Sequence, residues 1–225
     1  MAARRAVLFD WSLTLAHYPA FEWWYVTALE NLGRRSEPGI VERSMAAVAE
    51  TVNEAWFVDA QAYMDTSAEV HRATLMKLYQ RARLDDDLAE ALYELESDPS
   101  RRPIYSDVVD VLTSLRDMDV RMGLVSNIHV DVRPCMDAQD IGPFFDTYAL
   151  SFELGIQKPD AAIFEAALRM LDVHPEDTVM VGDSPEIDGA AARVGIPTLI
   201  LPRSPTVQRE ALHQVVRLVD EHGRR

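Results

Sequence analysis

The chain has 225 residues, 48% of them hydrophobic and 26% charged, with nine glycines; this suits one full α/β domain with or without a smaller insertion and excludes disordered and fibrous classes. A formal net charge of −15 disfavours a surface that tracks phosphate backbones, so nucleic acid is not an expected partner. No stretch approaches the roughly 20 apolar residues of a membrane helix, residues 1–5 run directly into an apolar segment without a cleavage site, and Cys135 is the single cysteine. The expectation is a soluble, cytoplasmic protein of a reducing compartment, with no membrane partner.

In chain order, the first apolar run, Ala6-Val7-Leu8-Phe9, is short, continuous and followed at once by Asp10, as in a strand buried on both faces of a parallel sheet. Residues 18–100 show no comparable run. They carry four helical stripes instead: Tyr25/Ala28/Leu29/Leu32, Val41/Met45/Val48/Val52, Leu75/Leu78/Tyr79/Ala82 and Leu88/Ala91/Leu92/Leu95. A capping box from Thr66 to Glu69 is expected to start the third. Seven Lys/Arg against sixteen Asp/Glu give this segment a net charge of −9, which sets it apart as a helical insertion. Asp98-Pro99-Ser100 and Arg102-Pro103 mark the return to the main body.

Beyond residue 100, apolar runs at 120–125, 178–182 and 198–201, with a weaker one at 146–150, alternate with helical patterns. Val108/Val111/Leu112/Leu115 and Ile163/Ala166/Ala167/Met170 each share one helix face. Such alternation predicts an α/β fold with a doubly wound, mainly parallel sheet, a Rossmann-like core carrying the helical insert.

Four polar segments fall where the apolar strands end, the place where open α/β sheets bind ligands. They are Asp10-Trp11-Ser12-Leu13-Thr14, Ser126-Asn127, Lys158-Pro159-Asp160 and Gly182-Asp183-Ser184-Pro185-Glu186-Ile187-Asp188. Together they offer a carboxylate nucleophile, a hydroxyl and an amide, a cation and further carboxylates, an inventory suited to metal-assisted phosphoryl transfer. Taken singly, each has a plainer explanation. Asp10 suits a turn, Ser126 and Asn127 a helix cap, Lys158 a solvated loop, and Asp183 and Asp188 the start of a helix.

The four segments in this order resemble the motifs of the haloacid dehalogenase superfamily of hydrolases, and residues 145–164 resemble a family signature almost throughout. The resemblance covers the whole chain. It implies an α/β core made of residues 1–17 and 101–225, with residues 18–100 as a helical cap. It further implies that Asp10 attacks phosphorus and forms an aspartyl-phosphate, with Mg²⁺ as cofactor and a small phosphorylated metabolite as substrate. Asp10 and Asp183 would supply metal oxygens, Ser12 its backbone carbonyl, and Asp188 an outer ligand or anchor. Lys158 would neutralise charge on Asp10 and on the transferring group, and Ser126 and Asn127 would donate to phosphoryl oxygens.

Ser12 departs from the pattern. In the family's phosphatases the residue two after the nucleophile is an aspartate that protonates the leaving group, and serine does not ionise in a useful range. Losing such an acid costs on the order of 10²- to 10⁴-fold. Three readings follow: a phosphatase whose substrate needs little protonation, a hydrolase of carbon–halogen or carbon–phosphorus bonds, or a weakly active scaffold that binds a ligand or partner. Carbon–phosphorus cleavage in the family uses a cap lysine, and Lys77 is the only lysine of the insert. Leu13 also replaces a frequent glycine, which predicts a constrained turn after Asp10.

Overall fold

The computed structural model describes residues 6–223, with side chains as far as residue 220. Residues 1–5, read above as lacking a leader, and residues 224–225 of the expected core lie outside the described residues. Five strands form one sheet: β1 (Ala6–Phe9), β2 (Arg121–Ser126), β3 (Thr147–Leu150), β4 (Thr178–Gly182) and β5 (Thr198–Ile200). All neighbours are parallel, in the order β3-β2-β1-β4-β5.

Strand β1 is central and fully buried because its alternate side chains feed two cores. Val7 and Phe9 enter one face with Trp11, Val111, Leu112 and Met122; Ala6 and Leu8 enter the other with Ile163, Phe164, Ala167 and Met180. This two-sided burial accounts for an apolar run without alternation. The first face is covered by α6 (Val108–Asp117), α7 (Arg133–Ala138) and α10 (His213–Gly223), the second by α9 (Ala161–Leu171) and a 3-10 turn at Gly189–Val194. A single turn of helix, α8 (Ser151–Leu154), follows β3. Chain connections leave β1 towards β2 on one side and reach β4 on the other, so the switch point of the sheet lies at the end of β1.

Between β1 and α6 lie α1 (Phe21–Asn31), α2 (Pro38–Thr51), α3 (Ala55–Gln61), α4 (Ala68–Arg81) and α5 (Asp86–Glu96). They pack around their own apolar cluster of Trp24, Tyr25, Leu75, Leu78, Tyr79 and Leu92 with further aliphatic residues. Helix α3 has no counterpart among the predicted stripes. Its seven residues make two turns, too short for a 3.6-residue repeat to register. The cap of α4 also differs from expectation: Ser67 accepts the Val70 N–H at 3.1 Å, whereas the Thr66 hydroxyl donates to the Tyr63 carbonyl at 2.7 Å within the preceding turn. Among the described residues no helix is long and apolar enough to cross a membrane.

Candidate active site

Two carboxylates reach the same point because their strands are neighbours in register. Phe9 pairs with Val181, and the Asp10 N–H donates to the Val181 carbonyl at 2.9 Å, so Asp10 and Asp183 leave the sheet side by side. Lys158 comes from the turn between α8 and α9, and its backbone is clamped by a distant side chain. Asn127 Nδ2 donates to the Lys158 carbonyl at 2.8 Å, and Asn127 Oδ1 accepts the Lys158 N–H at 2.7 Å. The ammonium is 2% exposed and lies 2.6 Å from both Asp10 Oδ1 and Asp188 Oδ1.

Burial by itself would lower the Lys158 pKa; attraction to Asp10 and Asp188 outweighs it and the net direction is upward. Burial raises Asp10 to about 7, with Lys158 pulling down less strongly and Asp188 adding to the rise. Asp183 is also raised by burial, against the pull of Arg203. These directions describe a dry carboxylate cluster with one buried cation, a site that gains from a further positive charge.

The donor set discriminates between the acids. Asp188 Oδ2 accepts the N–H groups of Asp183 and Ser184, each at 3.0 Å, and Oδ1 accepts from Lys158. Both of its oxygens are therefore satisfied from within, which suits an anchor. Asp10 Oδ2 and Asp183 Oδ1 accept no hydrogen bond among the described residues, and neither does the Ser12 carbonyl. Ligand oxygens of Asp10, Asp183 and Asp188 lie within 4.8 Å of one another. Anionic oxygen donors so spaced fit a hard divalent cation.

These residues floor a cavity of about 490 Å³ lined also by Ser12, Leu13, Asn127, Ser184 and Arg203. Its opposite wall comes from α3 and the turn after it: Val58, Gln61, Ala62, Met64 and Asp65. Ser126 is placed differently. It is 1% exposed at the end of β2, does not line the cavity, and its hydroxyl has no hydrogen-bond partner. A buried polar group in that state is costly unless something completes it. Trp11 Nε1 and Thr14 Oγ1 are likewise buried and unpartnered, so unsatisfied groups gather around the strand ends. Leu13 adopts φ +62°, the left-handed region that disfavours side chains, in line with the constrained turn expected there.

Several supporting residues lie outside the four short motifs. Arg209 donates to the Thr14 carbonyl at 2.6 Å, pairs with buried Asp107 at 3.0 Å and lies over the Tyr105 ring, bracing the loop after Asp10. Gln157 ties the insert to the core: its Nε2 donates to the Gln61 carbonyl at 2.8 Å and its Oε1 accepts the Asp65 N–H at 2.9 Å. Arg203 donates from Nε to Asp183 Oδ2 at 2.7 Å. It follows β5 closely, so the strand-end criterion that selects Asp10 and Asp183 reaches it as well.

Other residues stay away from the cavity. Lys77 sits 4.1 Å over the Trp56 ring and does not line it. His17 packs edge-on against Tyr105, and Cys135 is buried with its thiol raised by burial. Of the insert's aromatic residues, Trp24 is buried whereas Trp23 and Tyr63 are exposed.

The model of the haloacid dehalogenase-like hydrolases matches residues 5–195. A phosphoserine phosphatase of Thermus thermophilus is 30% identical over 193 residues, covering 85% of this chain and 66% of that protein. A glyceraldehyde 3-phosphate phosphatase of Methanopyrus kandleri is 37% identical over 101 residues, 44% of this chain and 43% of that protein. The chain thus spans two-thirds or less of the length of these curated relatives. In fold it is similar to the HAD-hydrolase YfnB of Bacillus subtilis, solved bound to magnesium, with a TM-score of 0.70 at 18% identity over 97% of this chain and 100% of that one. The match over most of its length, on a parallel sheet with the acidic strand ends described above, makes this chain a member of the haloacid dehalogenase-like hydrolase family.

Proposed function

We propose that this protein is a Mg²⁺-dependent phosphatase that hydrolyses a small phosphorylated metabolite through Asp10. The observation that carries this reading is the Lys158 ammonium at 2.6 Å from Asp10 Oδ1, with Asp10 Oδ2 and Asp183 Oδ1 left without hydrogen bonds beside it. The phosphatase relatives support the choice of bond. Residues 1–17 and 101–225 serve as the catalytic core and residues 18–100 as a cap whose α3 wall faces it.

Asp10, Asp183 and the Ser12 carbonyl would hold the cation, which supplies charge neutralisation between an anionic nucleophile and an anionic phosphoryl group. A carboxylate oxygen of Asp10 bonds to phosphorus as the bond to the leaving oxygen breaks, giving an aspartyl-phosphate. Water then attacks phosphorus, the Asp10 bond breaks, and inorganic phosphate leaves. Lys158 holds Asp10 in place and balances charge on the phosphoryl oxygens. The remaining Asn127 N–H, on a residue that lines the cavity, is a donor available to those oxygens. Asp188 fixes the loop from 183 to 188 and the ammonium together. Ser12 leaves the departing oxygen without a side-chain acid, so esters with good leaving groups are the better substrates.

The test is phosphate release from an aryl phosphate by the purified chain. Turnover is expected with Mg²⁺, lost with a chelator and lost in Asp10→Asn. Halide release from a haloacid without metal, or no turnover on any phosphate ester, overturns the reading.

A further inference from the structure

Among the described residues only two cations line the cavity, and their situations are opposite. Lys158 is buried and engaged by two carboxylates. Arg203 has its side chain 65% exposed, whereas that of Asp183, which anchors it, is 8% exposed. The anchor uses Nε alone; the Nη1 and Nη2 groups make no hydrogen bond among the described residues. An arginine held at Nε presents its outer edge as a fork of parallel N–H donors, the geometry that receives a planar carboxylate.

Among the described residues the α3 wall offers no second cation. Val58, Ala62 and Met64 are apolar, the Gln61 carbonyl is held by Gln157, and the Asp65 carboxylate is 2.7 Å from His71 Nδ1. Asp183 keeps Oδ1 open while Oδ2 anchors Arg203, so the pairing leaves one of its oxygens without a hydrogen bond.

We infer that Arg203 is a specificity-determining residue that selects phosphate monoesters bearing a carboxylate near the ester, by bidentate hydrogen bonds from its free Nη edge. The inference rests on the phosphatase reading and names its substrate class. The phosphoryl group goes to Asp10 and Lys158 on the floor, and the carboxylate goes to Arg203 at the mouth.

The experiment compares kcat/KM for 2-phosphoglycolate and ethyl phosphate, two small alkyl esters of which only the first carries a carboxylate. The native chain is expected to favour phosphoglycolate by at least about 10-fold, mainly through KM. Arg203→Ala should bring that ratio close to unity, and Arg203→Lys should restore part of it. A ratio near unity in the native chain overturns the inference. So does an equal loss on both esters in Arg203→Ala, the signature of an arginine that merely props Asp183. If neither of these alkyl esters turns over, the aryl phosphate assay decides the phosphatase reading on its own. Calorimetric binding of the same two esters to Asp10→Asn, with and without Arg203→Ala, then decides the arginine separately: selective loss of phosphoglycolate binding supports it and equal binding of both sinks it.

Discussion

Gly182 lies against Asp188 so closely that a Cβ on residue 182 would stand 2.2 Å from the Asp188 carboxyl carbon. The carboxylate folds back over the end of β4 only because that strand ends in glycine, and from there it holds two backbone N–H groups and the Lys158 ammonium. Gly182→Ala is expected to displace Asp188, lower activity and destabilise the fold by about 1–3 kcal/mol. Gly189→Ala, where a Cβ meets nothing within 4 Å, is expected to stay within about 0.5 kcal/mol. Urea denaturation of the two variants checks the contrast, and equal effects would refute the steric account.

Removing the buried ammonium isolates two carboxylates that share it. Lys158→Met is expected to cost about 3–5 kcal/mol of stability, the usual result of breaking a buried ion pair from one side, and to abolish phosphate release. The double change Lys158→Met with Asp188→Asn should recover part of the stability and none of the activity. Denaturation midpoints and phosphate release, measured on the same preparations, separate the two roles.

Ser12 lines the cavity beside Asp10 without an ionisable group. Ser12→Asp is expected to raise kcat on alkyl phosphates by at least about 10-fold, recovering part of what a general acid contributes, with a smaller effect on aryl phosphates. An unchanged or lower alkyl rate would argue against the missing-acid account.

A histidine pair contributes to the pH dependence of stability. His71 from α4 and His129 from the loop after β2 stack at 3.5 Å between ring centroids. His71 lies 2.7 Å from Asp65 and 3.1 Å from Glu96, and His129 Nε2 lies 2.9 Å from Ser97 Oγ. Tyr18, Tyr93 and Arg102 complete the surroundings. Burial opposes a charge on His71, but hydrogen bonds to Asp65 and Glu96 outweigh it and raise the pKa to about 9. Burial also dominates His129, helped by its protonated neighbour, and lowers it to about 4.

The two shifts act on opposite limbs. For His71 the folded state keeps a proton the unfolded state loses, so its contribution is full below about 6.5 and fades as pH rises through 9. For His129 the unfolded state takes up a proton the folded state refuses, so stability falls as pH drops from 6.5 through 4. Each of these two contributions is on the order of 3 kcal/mol. His71→Gln should flatten the alkaline limb and His129→Gln the acid limb in denaturation series across pH.

Much of the sheet was legible because a strand buried on both faces must be apolar at consecutive positions, and a ligand group placed after it must break that run with a polar residue. The segments 6–9 and 178–182 coincide with β1 and β4, and Asp10 and Asp183 stand next to them. Helix α3 escaped notice because two turns are too few for periodicity, although it walls the cavity. Gln157 stood inside the recognised signature, yet its role depends on Gln61 and Asp65, some ninety residues away.

By itself, then, the sequence determined which residue types end which strands, since that information is local to a few positions and governed by burial. Only the tertiary structure decided how they are used: that Asp188 is filled by backbone N–H groups, that Asn127 clamps the Lys158 backbone, that Arg203 hangs on Asp183 with its outer edge free, and that two histidines stack across the seam. Each of these is a contact between segments far apart in the chain or a choice among hydrogen-bond partners at one site. Folding brings such groups into direct contact, and no property of the residues taken in order states which of them will meet.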